Sequence, residues 1–252
     1  MSSAQNEGRM VRQDWSWHSP HLQREMGVAR WGTYGKPVLL FPTSGADHLD
    51  VWRFKLVEVL RPLIESERIK LYTCRDNSRD TWVDLDMPPW KKAAGQAAFD
   101  RYLVDELLPH IREDCRGTEQ RFACAGASLG GYQAVTAAAK HPDWFDLAVG
   151  MSGFYDLDVF MDRHRDENYY FNNALYFVPN LPEGRLLQRL QTTRFVIAGG
   201  TGKWEHPDQG QRMARVLASK GVPVKLELWG AEWNHDWPTW RAMLPSVLDR
   251  MV

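Results

Sequence analysis

Cysteine is scarce in this 252-residue chain, which holds three: Cys74, Cys115 and Cys124. An odd number without C-x-x-C spacing supports neither a disulfide framework nor a zinc site, and fits free thiols in a reducing compartment. Charge of one sign is missing as well. With 31 basic against 32 acidic residues the formal net charge is -1. No one-signed field is available to hold a phosphate backbone or an anionic membrane surface, so nucleic acid is excluded as an expected partner. No apolar stretch reaches the roughly 18 residues of a membrane span, and the polar start, Met1 to Val11, holds no apolar run of signal-peptide length. These absences lead to the expectation of a cytoplasmic protein without a membrane span. Repeats, low-complexity tracts and Gly/Ser linkers are absent too. Residues 1–252 are therefore expected to form one domain, with 1–14 as a flexible N-terminal segment.

What is present is ordinary for a protein with a buried core: 44% hydrophobic and 25% charged residues. Short β-rich runs alternate with helical patterns. The expected strands are Met26 to Trp31, Pro37 to Phe41, Ile69 to Thr73, Phe122 to Ala125, Leu147 to Met151, Phe195 to Ala198 and Val224 to Leu228. Phe99, Leu103, Leu107 and Ile111 recur every four residues and mark one apolar helix face. A second helix is expected from Pro207 to Lys220, stopped by Gly221. The last carries Trp237, Trp240, Leu244, Val247, Leu248 and Met251 on one side. Such alternation predicts an α/β fold with a mostly parallel sheet covered on both faces. The stretch from Tyr155 to Arg185, rich in Asp, Asn and aromatic residues, is expected to be a long excursion over the mouth of a site.

Gly126-Ala127-Ser128-Leu129-Gly130-Gly131 lies between the apolar run Phe122 to Ala125 and the alanine-rich segment Ala137 to Ala139. This is the strand, tight turn and helix in which a G-x-S-x-G elbow presents a nucleophilic serine. The backbone at such a serine is strained, and neighbouring chains pass so close that only small residues fit two positions before and after it. The helix start then turns its amides towards a developing oxyanion. Ser128 is the expected nucleophile. Ser152 also follows a strand but has no glycine two positions before it, and reads as structural.

Where this elbow occurs, the acid and the histidine follow the serine in that order. His235 is the last of eight histidines and sits in Trp233-Asn234-His235-Asp236-Trp237, between the final strand and the final helix. It is the expected general base. The loop after Phe195 to Ala198 offers two carboxylates, Glu205 and Asp208. Pro207 is expected to open a helix, which would commit Asp208 to its first turn and to stabilising the helix start. Glu205 is therefore preferred as the acid and Asp208 is the alternative. The backbone amides of Leu129 and of Thr43 or Ser44 are the candidate oxyanion donors.

Other signals lead elsewhere. Gly199 to Lys203 lacks the glycine spacing of a phosphate loop, and Trp204 stands where that loop needs Ser or Thr. Asp156, Asp158, Asp162 and Asp166 lack the Gly and terminal Glu of a calcium loop and are expected to form a solvated loop, so no metal site is expected. Of the 12 tryptophans, Trp204, Trp233, Trp237 and Trp240 flank the expected site, mostly as packing.

Taken together, these residues resemble the esterase D-like branch of the α/β-hydrolases, which is itself similar to siderophore esterases and mycolyltransferases. The resemblance runs from about Trp15 to the end. It rests on Phe41-Pro42-Thr43-Ser44-Gly45, Asp105-Glu106-Leu107-Leu108-Pro109, Gly126 to Gly131, Tyr170-Phe171-Asn172-Asn173, Trp204-Glu205 and His235-Asp236-Trp237-Pro238-Thr239-Trp240. It implies the α/β-hydrolase fold and a triad of Ser, Asp or Glu, and His that works without metal or organic cofactor, carried here by Ser128, Glu205 and His235. Two departures stand out: the acid in esterase D-like enzymes is commonly Asp, and the loop at Pro42 has neither His-Gly-Gly nor Asp-Gly. The expected activity is that of a serine carboxylic-ester hydrolase acting on a small-molecule ester through an acyl-enzyme. An acyltransferase with the same triad, or a non-catalytic ligand-binding protein on this fold, are the alternatives. Substrate identity is not written in the sequence, and homo-oligomerisation is left open.

Overall fold

The computed structural model describes residues 10–252. Eight strands build one sheet: β1 (Arg12–Ser19), β2 (Arg24–Trp31), β3 (Lys36–Phe41), β4 (Ile69–Cys74), β5 (Phe122–Ala127), β6 (Phe145–Met151), β7 (Arg194–Gly199) and β8 (Val224–Leu228). Their order is β1-β2-β4-β3-β5-β6-β7-β8. The pairs β1/β2 and β2/β4 are antiparallel, and every other neighbour is parallel. From β3 the chain moves outward to β4 and then returns to place β5 on the other flank of β3. The strand order therefore reverses between β3 and β5, where Phe41 lies beside Gly126. Open α/β sheets build their sites at the carboxyl ends of the strands flanking such a reversal.

Residues alternate strictly between the two faces, as the two-residue period of a strand requires. Leu39, Phe41, Phe122, Cys124, Ala148, Phe195 and Ile197 join one buried cluster. Val38, Leu40, Ala123, Ala125, Val149, Val196 and Ala198 join the other. The first face is covered by α4 (Pro89–Tyr102), α5 (Leu108–Asp114), α6 (Leu129–Lys140) and α10 (Pro207–Ser219). The second is covered by the short helices α1 (Asp50–Arg53), α2 (Leu56–Val59) and α3 (Arg61–Glu65), together with α11 (Trp237–Met251). Among the described residues, no helix is long and apolar enough to cross a membrane. The three thiols are free, with Cys74 and Cys124 buried in the core.

The expected N-terminal segment needs correcting. Residues 12–14 are not a flexible lead but the start of β1, paired with 29–31 of β2; residues 1–9 lie outside the description. An edge strand needs little apolar character. In β1 the apolar packing rests on Trp15 and Trp17, against His110 and, for Trp17, also Tyr102, while Trp17 Nε1 and the buried Ser19 Oγ donate to the two carboxylate oxygens of Glu106. The four-residue spacing of Phe99, Leu103, Leu107 and Ile111 has a physical explanation too. An α-helix would turn such a row away from its face, but Leu103–Leu107 is a π-helical stretch joining α4 to α5. Its wider turn keeps the four side chains buried together.

The stretch after β6 is a helical insertion rather than an open excursion. It includes α7 (Glu167–Phe171), α8 (Ala174–Phe177) and α9 (Arg185–Leu190), with Tyr169, Leu175 and Phe177 buried in the first cluster. Of its aspartates Asp162 is exposed, while the other three are engaged. Asp156 and Asp166 cap helix starts, and Asp158 accepts hydrogen bonds from Tyr169 and Tyr176 and pairs with Arg165. Asn172 and Asn173 tie the insertion down: Tyr132 donates to the Asn172 carbonyl, and Asn173 caps α8.

One clamp joins α4, α6 and this insertion. Asp100 accepts from Lys140 Nζ at 2.6 Å and faces His141 Nε2 at 2.8 Å, and Lys140 also donates to Asn172. Burial alone would raise the Asp100 carboxyl, but the His141 hydrogen bond and the charges of His141 and Lys140 outweigh it and hold it below the ordinary carboxylate range. A carboxyl lowered on folding stabilises the native state above its unfolded pKa of about 3.9 and loses that contribution as pH falls through the folded value. Asp100→Asn should therefore cost about 1.5–3 kcal/mol near neutral pH, the range for hydrogen bonds to charged groups. The deficit should shrink steadily below about pH 4. Urea midpoints of both proteins across pH measure this.

Candidate active site

The site begins at the end of β5. Ser128 has φ 57° and ψ -124°, a sparsely populated conformation that persists only where the surroundings impose it. Here they do so by hydrogen bonds. The Ser128 amide donates to Met151 O at 3.0 Å, and its carbonyl accepts from the amides of Gly131, Tyr132 and Phe154. They do so also by crowding. A methyl on Gly126 would lie 2.1 Å from Gly130 O, and one on Gly130 would lie 2.4 Å from Pro42 O. Positions two before and two after the serine thus admit no Cβ, and Ser128 stands at the head of α6 with Leu129 as its first residue.

The loop after β3 passes directly against this elbow and is held from behind. Asp76 accepts from the amides of Gly45 and Ser78, each at 2.8 Å, and from the Ser78 hydroxyl. Burial pushes its carboxyl up, against the pull of those donors. Thr43 Oγ1 donates to Asp50 at 3.2 Å. With the loop so anchored, the amides of Thr43 and Ser44 donate to no backbone carbonyl among the described residues, which is the condition an oxyanion donor needs. Further along the same loop lies a polar cavity of about 380 Å³, lined by Gly45, Asp47, Asp50, Arg53, Arg75 and Arg79 among others, and Thr43, Ser44 and Ser128 are not part of its lining.

Glu205 and His235 come together above β7 and β8. His235 Nδ1 stands 3.6 Å from Glu205 Oε2; the Glu205 side chain is 2% exposed and that of His235 21%. That separation is longer than a hydrogen bond, and His235 Nδ1 is buried with no other partner. Catalytic contacts are often long before substrate binds. No hydrogen bond joins Ser128 Oγ to His235 in this structure, but Met151 O receives the Ser128 amide, and the next residue, Ser152, donates to Glu205. Asp208 lies elsewhere, exposed in the first turn of α10.

The glycine-rich loop before Glu205 has a steric purpose. It is laced to the loop that carries His235: Gly202 N donates to Trp233 O at 3.0 Å, His235 N to Lys203 O at 3.0 Å, and Lys203 N to Asn234 Oδ1 at 2.7 Å. A methyl on Gly200 would sit 1.9 Å from Trp233 O, and one on Gly202 2.5 Å from Asn234 Oδ1. The glycines let two backbones touch, where a phosphate loop would leave amides free. Sequence reading missed this lacing, and it took Ser152 as structural without foreseeing that its hydroxyl reaches Glu205. It also left the four tryptophans undivided. Trp240 is buried and donates to Ser152 Oγ, Trp237 stacks on Phe54, Trp233 meets Trp229 edge-on, and Trp204 is 72% exposed. No group of three or more His, Cys, Asp or Glu side chains is arranged to hold a metal ion among the described residues.

Gly200→Ala should push the two loops apart while leaving the sheet intact. The expected result is a loss of at least about tenfold in kcat/KM on an activated ester, given the hundredfold that a 1 Å misplacement can cost. Unchanged far-ultraviolet circular dichroism would accompany it.

The family model described as "Putative esterase" matches residues 73–251. No curated protein matches the chain. Among solved structures the fold is similar to a ferulic acid esterase, with 18% identity, 95% of this chain and 97% of that chain covered, and a TM-score of 0.73. It is similar to an S-formylglutathione hydrolase from Agrobacterium tumefaciens, with 15% identity, 96% and 94% covered, and a TM-score of 0.73. A fluorophosphonate-binding serine hydrolase of Staphylococcus aureus is alike at 17% identity, 97% and 99% covered, and a TM-score of 0.67. At such identities the structures speak for the α/β-hydrolase fold. The family match spans well over half of the sequence, and by it the chain belongs to this esterase family.

Proposed function

We propose that this protein hydrolyses carboxylic esters through an acyl-enzyme formed on Ser128. In this reading Ser128 Oγ attacks the ester carbonyl carbon and gives its proton to His235 Nε2. The tetrahedral oxyanion is met by the amides of Leu129 and of Thr43 or Ser44. His235 returns the proton to the departing alkoxide, and water then repeats the sequence to release the acid. Glu205 holds the imidazole in the tautomer that leaves Nε2 free to accept. The single observation that carries the reading is the paired strain and burial at one sheet edge. A serine is forced to φ 57° at the end of β5, while a carboxylate 2% exposed faces His235 Nδ1 beside it. A serine held in a strained turn costs about 1–3 kcal/mol, which an idle loop would not need. The match to an esterase family sets the reaction class.

Ser128→Ala should remain folded and lose several orders of magnitude in turnover of an activated short-chain ester, on the scale of triad removal. It should also lose labelling by a fluorophosphonate. Labelling and turnover near wild type would place the nucleophile elsewhere.

The choice of acid is tested separately. Glu205→Gln should lower kcat by about 10²–10⁴, since an amide favours the wrong histidine tautomer. Asp208→Asn should cost tenfold or less, with a slight loss of stability at the start of α10. Kinetics at matched circular dichroism compare the two, and the reverse ranking would transfer the role to Asp208.

A further inference from the structure

Glu205 does not stand alone against His235. Its other oxygen, Oε1, accepts from Ser152 Oγ at 2.6 Å, the short length typical of a hydroxyl donating to a carboxylate. Ser152 Oγ in turn lies 3.0 Å from Trp240 Nε1. An indole N–H can only donate, so Trp240 takes a lone pair of the hydroxyl and directs the single hydroxyl proton onto Glu205. The polarity of the chain Trp240 to Ser152 to Glu205 is thereby fixed. The same indole meets the His235 ring edge-on, with centroids 5.3 Å apart and planes at 86°. One buried side chain thus braces both the support of the acid and the imidazole that the acid faces.

The backbone at Ser152 strengthens the argument. Ser152 has φ 45°, in the region where glycine is at ease and a side chain is not. Its amide donates to Ala198 O at 2.7 Å, which holds it at the joint between β6 and β7, one residue past the carbonyl that receives the Ser128 amide. A side chain is kept at a position that favours having none, and its hydroxyl is fully committed to one carboxylate oxygen.

We infer that Ser152 and Trp240 are positioning residues for ester hydrolysis, locking the Glu205 carboxylate so that Oε2 alone is presented to His235. This rests on the triad reading above. Without the Ser152 hydroxyl, a carboxylate nearly out of water loses its donor and is free to rotate away from the imidazole. Neither residue is required to touch substrate, so the effect falls on kcat and not on KM.

The test compares Ser152→Gly, Ser152→Cys, Trp240→Phe, Glu205→Gln and Ser128→Ala in the full chain. Steady-state kinetics on an activated ester are read beside the low-field His235 Nδ1 proton resonance of the fluorophosphonate-labelled protein, the state in which a contact that is long without substrate tightens. Ser152→Gly removes the hydroxyl and relaxes the backbone at once. It should lower kcat about ten- to hundredfold, the scale of a small misplacement of reacting groups, with KM changed less than about twofold and the low-field resonance lost. Ser152→Cys, a weaker donor, should fall between Ser152→Gly and wild type, and Trp240→Phe should move kcat in the same direction by a smaller factor. Should Ser152→Gly fail to fold, the other two variants carry the same comparison. Wild-type kcat and resonance in Ser152→Gly beside an impaired Glu205→Gln would overturn the positioning role and leave the triad standing, as would a change confined to KM. Wild-type kcat in both Glu205→Gln and Ser128→Ala would overturn the triad reading itself.

Discussion

The carboxyl edge of this sheet is governed by how closely its connecting loops approach one another. Gly126 against Gly130, Gly130 against Pro42 and Gly200 against Trp233 leave room for a hydrogen and not for a methyl, and Gly131 against Gly153 would hold a methyl only as a tight fit at 3.1 Å. These contacts run from the loop after β3, through the elbow after β5 and the end of β6, to the loops after β7 and β8. Each successive loop takes its position from the one before it. The strained serine, the anchored amides at Thr43 and Ser44 and the facing Glu205 and His235 are consequences of that crowding. Relaxing any one contact would let its neighbours drift.

Close approach also removes water, and the buried acids show how the chain responds. Asp76 is surrounded by donors from its own turn and from Gly45, yet burial still raises it. Asp100 meets two basic side chains and is lowered. Glu205 takes a hydroxyl on one oxygen and turns the other to an imidazole. The three solutions differ because the tasks differ. Asp76 shapes a loop, Asp100 joins layers of the fold, and Glu205 faces a group that the proposed reaction would charge and discharge. Only an acid with one oxygen left open can respond to that change.

Most of the fold could be read before any coordinates. Seven of the eight strands, all but β1, follow from short β-branched or small-residue runs, and the two-face burial of the six inner ones follows from their near-continuous apolarity. The edge strand β1 escaped because two alternating tryptophans, Trp15 and Trp17, carry its apolar packing. The π-helical stretch at Leu103–Leu107 left a trace, an apolar row repeating at four residues instead of 3.6. Ser128, His235 and Glu205 were accessible because elbow spacing and strand order constrain where such side chains can emerge. The structure brings Glu205, not Asp208, beside His235. The contact between Ser152 and Trp240 was invisible for a different reason. It joins residues 88 positions apart, and nothing local distinguishes a hydroxyl that supports an acid from one that merely ends a strand. Asp156 and Asp166 were misread because capping is a property of the helices they begin, and those helices are too short to announce themselves by periodicity.

The lacing of the loops at 199–206 and 230–236 has a consequence for how this site can vary. Backbone bonds at Gly202, Lys203 and His235, with the Asn234 side chain bridging the two loops, make Glu205 and His235 parts of one body. Substitutions in the two loops will then not add. A change that shortens the reach from position 205 can be tolerated only if the strand-to-helix connection opposite moves with it, and one that shifts Asn234 displaces both members at once. Interaction energies between neighbours in such networks run to about 0.5–3 kcal/mol. The routes by which a sequence could exchange its glutamate for an aspartate here pass through paired rather than single steps.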